Sequence, residues 1–195
     1  MIIFQIIVLV FSAVIHEVCH GAMADRLGDP TARLAGRLTL NPLKHLDPFG
    51  SVLLPLMLAL IPGGVVFGWA KPVPFNPYHL KHPDRDGALI AFAGPASNIL
   101  IAIIFSIFYR LIGSSVLGEL FVVIVIINVS LAVFNMVPIP PLDGSKILFA
   151  FLPNRLAHLR EQMERYGMMI LVAFIFFGVH IISPIIYGIL RVLLG

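Results

Sequence analysis

An H-E-x-x-H pattern, His16-Glu17-Val18-Cys19-His20, lies inside an apolar run that extends from Ile2 to Ala24. The run is long enough to cross a hydrocarbon core of ~30 Å as a helix rising ~1.5 Å per residue. Positions four apart on that helix share one face, so His16 and His20 stand one above the other. Two imidazoles so placed can grip one metal ion, and Glu17 beside them can act as base toward a metal-bound water. Arg26 is the first basic residue of the chain. His16 should therefore sit ~15 Å up the helix from its basic end. Ionisable groups at such depth are costly and mark functional sites.

The rest of the chain fits a membrane environment. It is 59% hydrophobic and 12% charged, with a mean hydropathy of +1.00, whereas a soluble domain averages about 45–50% apolar and about 25% charged. One compact bundle is the natural size for 195 residues. The single cysteine, Cys19, excludes an internal disulfide framework. The net charge of +3 is too small to argue for nucleic acid, and the basic residues read as membrane-orienting charges. Ala22-Met23-Ala24 looks like a signal-peptide cleavage site. No Lys or Arg precedes the apolar run, however, and the run exceeds a usual signal core, so residues 2–24 read as a retained span.

The expected fold is an all-α polytopic membrane protein, a single domain over 1–195 with about four to six transmembrane helices. Spans are expected at 2–24, 88–109, 117–136 and 167–194, the last either one long crossing or a broken pair. Residues 51–67 are apolar but short and are interrupted by Pro55 and Pro62-Gly63-Gly64, which suits a re-entrant segment. Arg33–Leu40 alternates in a strand-like way, so a short β-hairpin is expected between the first and second spans. Repeated prolines make 68–77 extended. Residues 154–165 are charged and amphipathic, as in an interfacial helix. If 51–67 dips in and returns, every basic loop falls on one side, and the Lys/Arg-free turn at 111–118 falls on the other. The positive-inside rule prefers that arrangement and makes the basic side cytoplasmic. It also brings Asp143 to the membrane face that holds His16 and His20.

Two histidines do not complete a catalytic zinc site, which normally has three protein ligands and an open position. Asp143 is the best third ligand. It follows the helix-breaking Pro138-Ile139-Pro140-Pro141 run, where irregular backbone can line a cavity, and it is the only acid between Glu119 and Glu161. Asp143 can also cap the helix that follows, and the two roles are compatible. This donor set suits zinc without excluding iron or cobalt. His45, His79 and His82 lie in polar loops and read as solvated, and His158 belongs to a charged surface helix. His180, within an apolar run, calls for a helix–helix hydrogen bond. Cys19 faces a different part of the helix from the two histidines. Trp69 reads as an interface anchor.

The sequence resembles the site-2 protease family of intramembrane zinc metalloproteases in its short bacterial form, without a PDZ-like insertion. The matching pieces are Ile15-His-Glu-Val-Cys-His-Gly21, Gly28-Asp-Pro-Thr-Ala32, Gly36-Arg-Leu-Thr-Leu-Asn-Pro42, Gly68-Trp-Ala-Lys-Pro-Val-Pro74, Ala93-Gly-Pro-Ala-Ser-Asn98 and Asn135-Met-Val-Pro-Ile-Pro-Pro-Leu-Asp-Gly144. The resemblance implies one zinc ion held by His16, His20 and Asp143, with Glu17 as catalytic base. It implies Asn135 as a contact to substrate. It further implies hydrolysis of peptide bonds in membrane-embedded protein substrates, by Glu-assisted attack of zinc-bound water, in a bacterial cell membrane with the site nearer the cytoplasm. An edge strand at 33–40 or the extended 68–77 segment would hold an unwound substrate by strand addition. The partners implied are a transmembrane protein or peptide and the lipid bilayer. Two other classes compete: a membrane metal-binding or transport protein that does not hydrolyse, and an inactive scaffold for membrane segments. Glu17 separates them, because a protease needs it beside the metal and free.

Overall fold

The computed structural model describes residues 1–47, 57 and 71–195. Seven α-helices order these residues: α1 (Ile2–Arg26), α2 (Thr31–Leu34), α3 (Pro83–Ile112), α4 (Val116–Asn135), α5 (Asp143–Phe151), α6 (Ala157–Ala173) and α7 (Val179–Leu194). A five-residue π-helical turn, Phe174–Gly178, joins α6 to α7 without a break. Four helices are long and apolar enough to cross a membrane: α1, α3, α4 and the continuous rod Ala157–Leu194. The expected all-helical architecture is therefore the observed one. Apart from Met57, the segment 51–67 falls outside the described residues, as does Trp69.

Local sequence sets the helix ends. α3 opens on Pro83, whose missing N–H costs nothing in a first turn, and Asp84 and Asp86 meet the positive end of the helix dipole. The Asp86 carboxylate also accepts the His82 N–H at 2.9 Å. Ser115 caps α4 by accepting the Gly118 N–H at 3.1 Å. The charged stretch from 154 begins with a 3-10 turn and then opens α6, which runs on into apolar sequence rather than ending at 165. Arg160 on that stretch donates to Asp84 at 3.1 Å and so ties α6 to the start of α3.

Alanine and valine make up much of the interior, with leucine and isoleucine among them. Ala102, Val125 and Val129 pack where α3 meets α4 and α7. Ala24, Leu80 and Ile90 close the end of α1 against α3. Val137, Leu142, Leu171 and Ile182 seat the turn after α4 on the α6–α7 rod. Small side chains let membrane helices approach closely, which is how helices associate where lipid is as apolar as leucine. The outer faces carry large apolar residues: Ile3, Phe177 and Ile181 are more than 70% exposed. Such a surface suits hydrocarbon and makes this an integral membrane protein.

The hairpin expected over 33–40 does not form. Arg33 and Leu34 finish α2, and Gly36 adopts a positive φ of 64°, which turns the chain where a strand would run straight. Among the described residues there is no strand. The corner between α1 and α2 is held by Asp29, whose side chain is fully buried. Its carboxylate accepts the Thr31 N–H at 3.1 Å and the Thr31 hydroxyl. It also accepts the Asn76 N–H at 2.6 Å and His79 Nδ1–H at 2.9 Å. Thus Asp29 fastens the 76–79 segment onto the end of the first span.

Burial pushes the Asp29 carboxyl up, but the hydrogen bonds from Thr31, His79 and Asn76 outweigh it and hold the group at about 2 against an ordinary 3.8. A depressed carboxyl stabilises the fold above its unfolded pKa, and that contribution is lost as pH falls from about 4 toward 2. Asp29→Asn should lower unfolding stability in detergent at pH 7 by on the order of 2 kcal/mol. Thermal melts at pH 7 and pH 3 check this: the deficit should shrink at the lower pH, and an equal deficit at both would remove the assignment.

Candidate metal centre

α1 presents His16 and His20 one turn apart, with ring centroids 4.5 Å apart and planes nearly perpendicular. Their Nε2 atoms are separated by 3.0 Å. Asp143, the first residue of α5, brings Oδ2 to 3.1 Å from His16 Nε2 and 3.2 Å from His20 Nε2. The three side chains are at most 12% exposed. Asp143 can reach α1 because the chain turns sharply after α4, and Gly144 allows that turn. A Cβ at position 144 would lie 2.2 Å from the Met136 carbonyl oxygen. The sequence-predicted ligands His16, His20 and Asp143, the last 123 residues beyond His20, thus meet at one point.

The outer hydrogen bonds decide what these atoms offer. His20 Nδ1 lies 2.6 Å from the Ile90 carbonyl oxygen, which can only accept, so Nδ1 carries the proton. His16 Nδ1 lies 2.6 Å from Asn98 Oδ1 and donates to it in the same way. Each ring thus keeps its Nε2 for the Asp143 side, where the neutral form needed for metal ligation presents a lone pair. With both rings neutral, three acceptors lie 3.0–3.2 Å apart, and a cation among them would turn their repulsion into coordination. The spacing suits a single ion with ligand bonds of about 2.0–2.2 Å. Imidazole and carboxylate donors in this ratio form a catalytic-type zinc set, with three protein ligands and room for a fourth. The residues present therefore fit zinc.

Glu17 is half-buried beside this triangle, and its Oε2 accepts the Val73 N–H at 2.9 Å. Val73 belongs to Lys71–Asn76, an extended strap drawn across α1. Gly21 makes the close passage possible: a Cβ there would meet Leu38 at 2.7 Å and Val73 at 2.9 Å. Pro72 and Pro74 have no N–H, so within that triplet Val73 alone can donate. Lys71 N–H donates to the His45 carbonyl at 2.8 Å, and Asn76 N–H to Asp29. The strap's N–H groups at 71, 73 and 76 are thus turned inward. The 33–40 stretch forms no edge strand, and residues 68–70 of the expected 68–77 segment lie outside the described residues.

The remaining candidates fall out as follows. Asn135, the last residue of α4, is partly buried and donates from Nδ2 to the Leu131 carbonyl of its own helix at 3.0 Å. Cys19 is outside the ligand triangle. His79 binds Asp29, and His158 Nε2 accepts from Gln162 Nε2 at 2.9 Å on an exposed face. Two histidines differ from expectation. His45, expected in solvent, is 1% exposed, and its Nε2–H donates to the Thr39 carbonyl, because the 42–44 turn folds it inward. His180, expected to bridge helices, is exposed on α7 and has no hydrogen-bond partner among the described residues.

Sequence reading singles out neither Asn128, the Ile90 carbonyl, the Val73 N–H nor the strict requirement at Gly94. A Cβ at position 94 would lie 2.4 Å from His20 Nε2 and 2.6 Å from His16 Nε2. The α3 backbone itself walls the ligand pair, and both contacts fall well inside van der Waals distance. Gly94→Ala should leave the helical content intact and reduce bound zinc to below about a tenth of the unaltered protein. Zinc per chain after purification in detergent measures this, and full occupancy would contradict the wall.

Comparison with known proteins agrees with this geometry. The profile of Peptidase family M50 matches residues 4–118 and 110–178. The chain is 37% identical over 192 residues to "Putative zinc metalloprotease YwhC" of Bacillus subtilis, covering 93% of this chain and 81% of that protein. It is 28% identical over 181 residues to "Putative zinc metalloprotease Rip2" of Mycolicibacterium smegmatis, covering 83% of this chain and 62% of that protein. A shorter match, 39% over 88 residues, links 43% of it to 46% of "Putative zinc metalloprotease MJ0611" of Methanocaldococcus jannaschii. No solved structure matches. With a buried His/His/Asp triangle on apolar helices and a family profile spanning most of its length, the chain belongs to peptidase family M50, the site-2 protease family of zinc metalloproteases.

Proposed function

We propose that this protein hydrolyses peptide bonds of membrane-embedded protein substrates, with His16, His20 and Asp143 holding zinc and Glu17 acting as the base. The observation that carries this reading is the convergence of three acceptor atoms at 3.0–3.2 Å beside a carboxylate on the same helix. A non-hydrolytic metal carrier has no need of a carboxylate held next to the ion but outside its ligand set. Zinc, when bound, supplies a Lewis acid that polarises the scissile carbonyl and acidifies water. Glu17 then moves the proton. The Val73 N–H fixes its Oε2, and the second carboxylate oxygen is the one that takes up a proton and returns it to the leaving amine. Asn135, at the mouth of the turn that delivers Asp143, contacts the substrate or its transition state.

The setting of the proposed reaction follows from charge. Arg26, Arg33, Arg37 and Lys44 follow α1, and Lys71, Lys81 and Arg85 precede α3. Lys146, Arg155, Arg160 and Arg165 follow α4, whereas Gly113–Ser115 between α3 and α4 is free of Lys and Arg. The positive-inside rule then puts the Asp143 end of the bundle on the cytoplasmic side of a bacterial plasma membrane. Water reaches the ions and carboxylates from that side. A helical substrate must unwind locally, since its amides are otherwise hydrogen-bonded and shielded.

Glu17→Gln tests the assignment. The variant should keep zinc near one per chain, because Glu17 is not in the ligand triangle, while cleavage of a transmembrane-helix substrate in detergent falls by at least about 100-fold. Persisting cleavage would sink the role of Glu17. Parallel loss of zinc would instead point to a ligand role.

A further inference from the structure

His20 and His16 are oriented by different means. His20 relies on a backbone carbonyl, that of Ile90. His16 relies on a chain of buried side chains drawn from three spanning helices. Asn98 on α3 and Asn128 on α4 are both 0% exposed, and Ser12 on α1 is 4% exposed. Asn128 Nδ2 donates to the Ile124 carbonyl at 2.9 Å and to Ser12 Oγ at 3.0 Å. Its Oδ1 accepts from Asn98 Nδ2 at 3.0 Å, and the same Nδ2 reaches the Ser12 carbonyl at 3.4 Å. Asn98 Oδ1 then accepts from His16 Nδ1 at 2.6 Å.

The direction of every link is forced. The Ile124 and Ser12 carbonyls can only accept, so each carboxamide must turn its NH2 toward them. That turns Asn128 Oδ1 to Asn98, and Asn98 Oδ1 to His16. An oxygen at that place requires a protonated Nδ1 on His16, so in the neutral ring that binds a metal the lone pair is on Nε2, aimed at Asp143. In hydrocarbon there is no water to offer an alternative partner, so a chain of this kind is either complete or costly. We propose that Asn98 and Asn128 are positioning residues for the metal centre, a carboxamide relay that fixes the tautomer and ring orientation of His16. Asn128 touches neither His16 nor the other ligands, yet acts on zinc through Asn98. The relay also makes the metal centre depend on the mutual packing of α1, α3 and α4. This rests on His16 being a metal ligand and is independent of whether the protein cleaves peptides.

The test uses the full chain in detergent, with zinc affinity read by chelator competition and the cobalt-substituted protein read by its visible absorption. Asn98→Leu, isosteric but apolar, should weaken zinc about 10–100-fold, the usual cost of losing an outer-shell partner. Asn128→Leu should weaken it about 10-fold. Asn128→Asp, which as a neutral acid keeps an acceptor for Asn98 and a donor for Ile124, should stay within about threefold of the unaltered protein. The cobalt bands should shift in both leucine variants and recover in the aspartate variant. Folded leucine variants with unchanged zinc affinity and unchanged cobalt bands would overturn the relay. His16→Ala run alongside separates the two levels: zinc retained there removes the ligand reading and the relay together, and zinc lost there with unaffected Asn variants removes the relay alone. If the leucine variants do not fold, 15N spectra of the histidine-labelled zinc protein decide. The relay requires His16 to carry a proton on Nδ1 and metal on Nε2, and metal on Nδ1 would overturn it.

Discussion

Three oxygen and nitrogen acceptors held about 3 Å apart in an apolar bundle form the constraint on which the rest of the structure depends. With both rings neutral they repel, and their burial strengthens that repulsion. A divalent cation converts that repulsion into coordination, and each surrounding feature keeps the acceptors turned inward. α3 comes close enough that only glycine fits at 94, and the turn after α4 is tight enough that only glycine fits at 144. The bundle is thus arranged around a small volume that side chains are excluded from filling.

The sequence made the candidate ligand cluster legible because metal chemistry leaves a spacing. His16 and His20 follow from an i, i+4 pair in an apolar run, and Asp143 from being the lone acid after a proline-rich break. The spans followed from hydropathy for the same reason: a hydrocarbon slab imposes a length. What surrounds the ligands was harder to read. Ile90 and Val73 contribute through backbone atoms, to which side-chain identity is blind. Asn128 carried a signal, a lone carboxamide deep in an apolar span, but its partner lies on another helix and only the packing of α3 against α4 identifies it. His45 and His180 were read from the polarity of their neighbours in sequence, and in each case the fold turned the side chain the other way.

The Lys71–Asn76 strap shows how proline can direct a hydrogen bond by subtraction. Flanked by Pro72 and Pro74, Val73 has the one donor of its triplet, and that donor goes to Glu17. The far end of the strap is pinned by Asp29, which itself sits at the exit of α1. The same helix therefore carries two of the three candidate metal ligands and the proposed base. Its exit corner anchors the segment that steadies that base. α1 alone would be an amphipathic oddity; the strap and α3 complete it.

The contrast between the two histidines bears on how this protein tolerates change over generations. The carbonyl of Ile90 is present whatever residue occupies position 90, so no point substitution there deletes the acceptor that orients His20. The orientation of His16 is encoded in the side chains at 98 and 128, and a single nucleotide change can erase it. Neutral drift can therefore pass through one half of the ligand pair and not the other, and the asymmetry resides in the hydrogen-bond acceptors rather than in the ligands themselves.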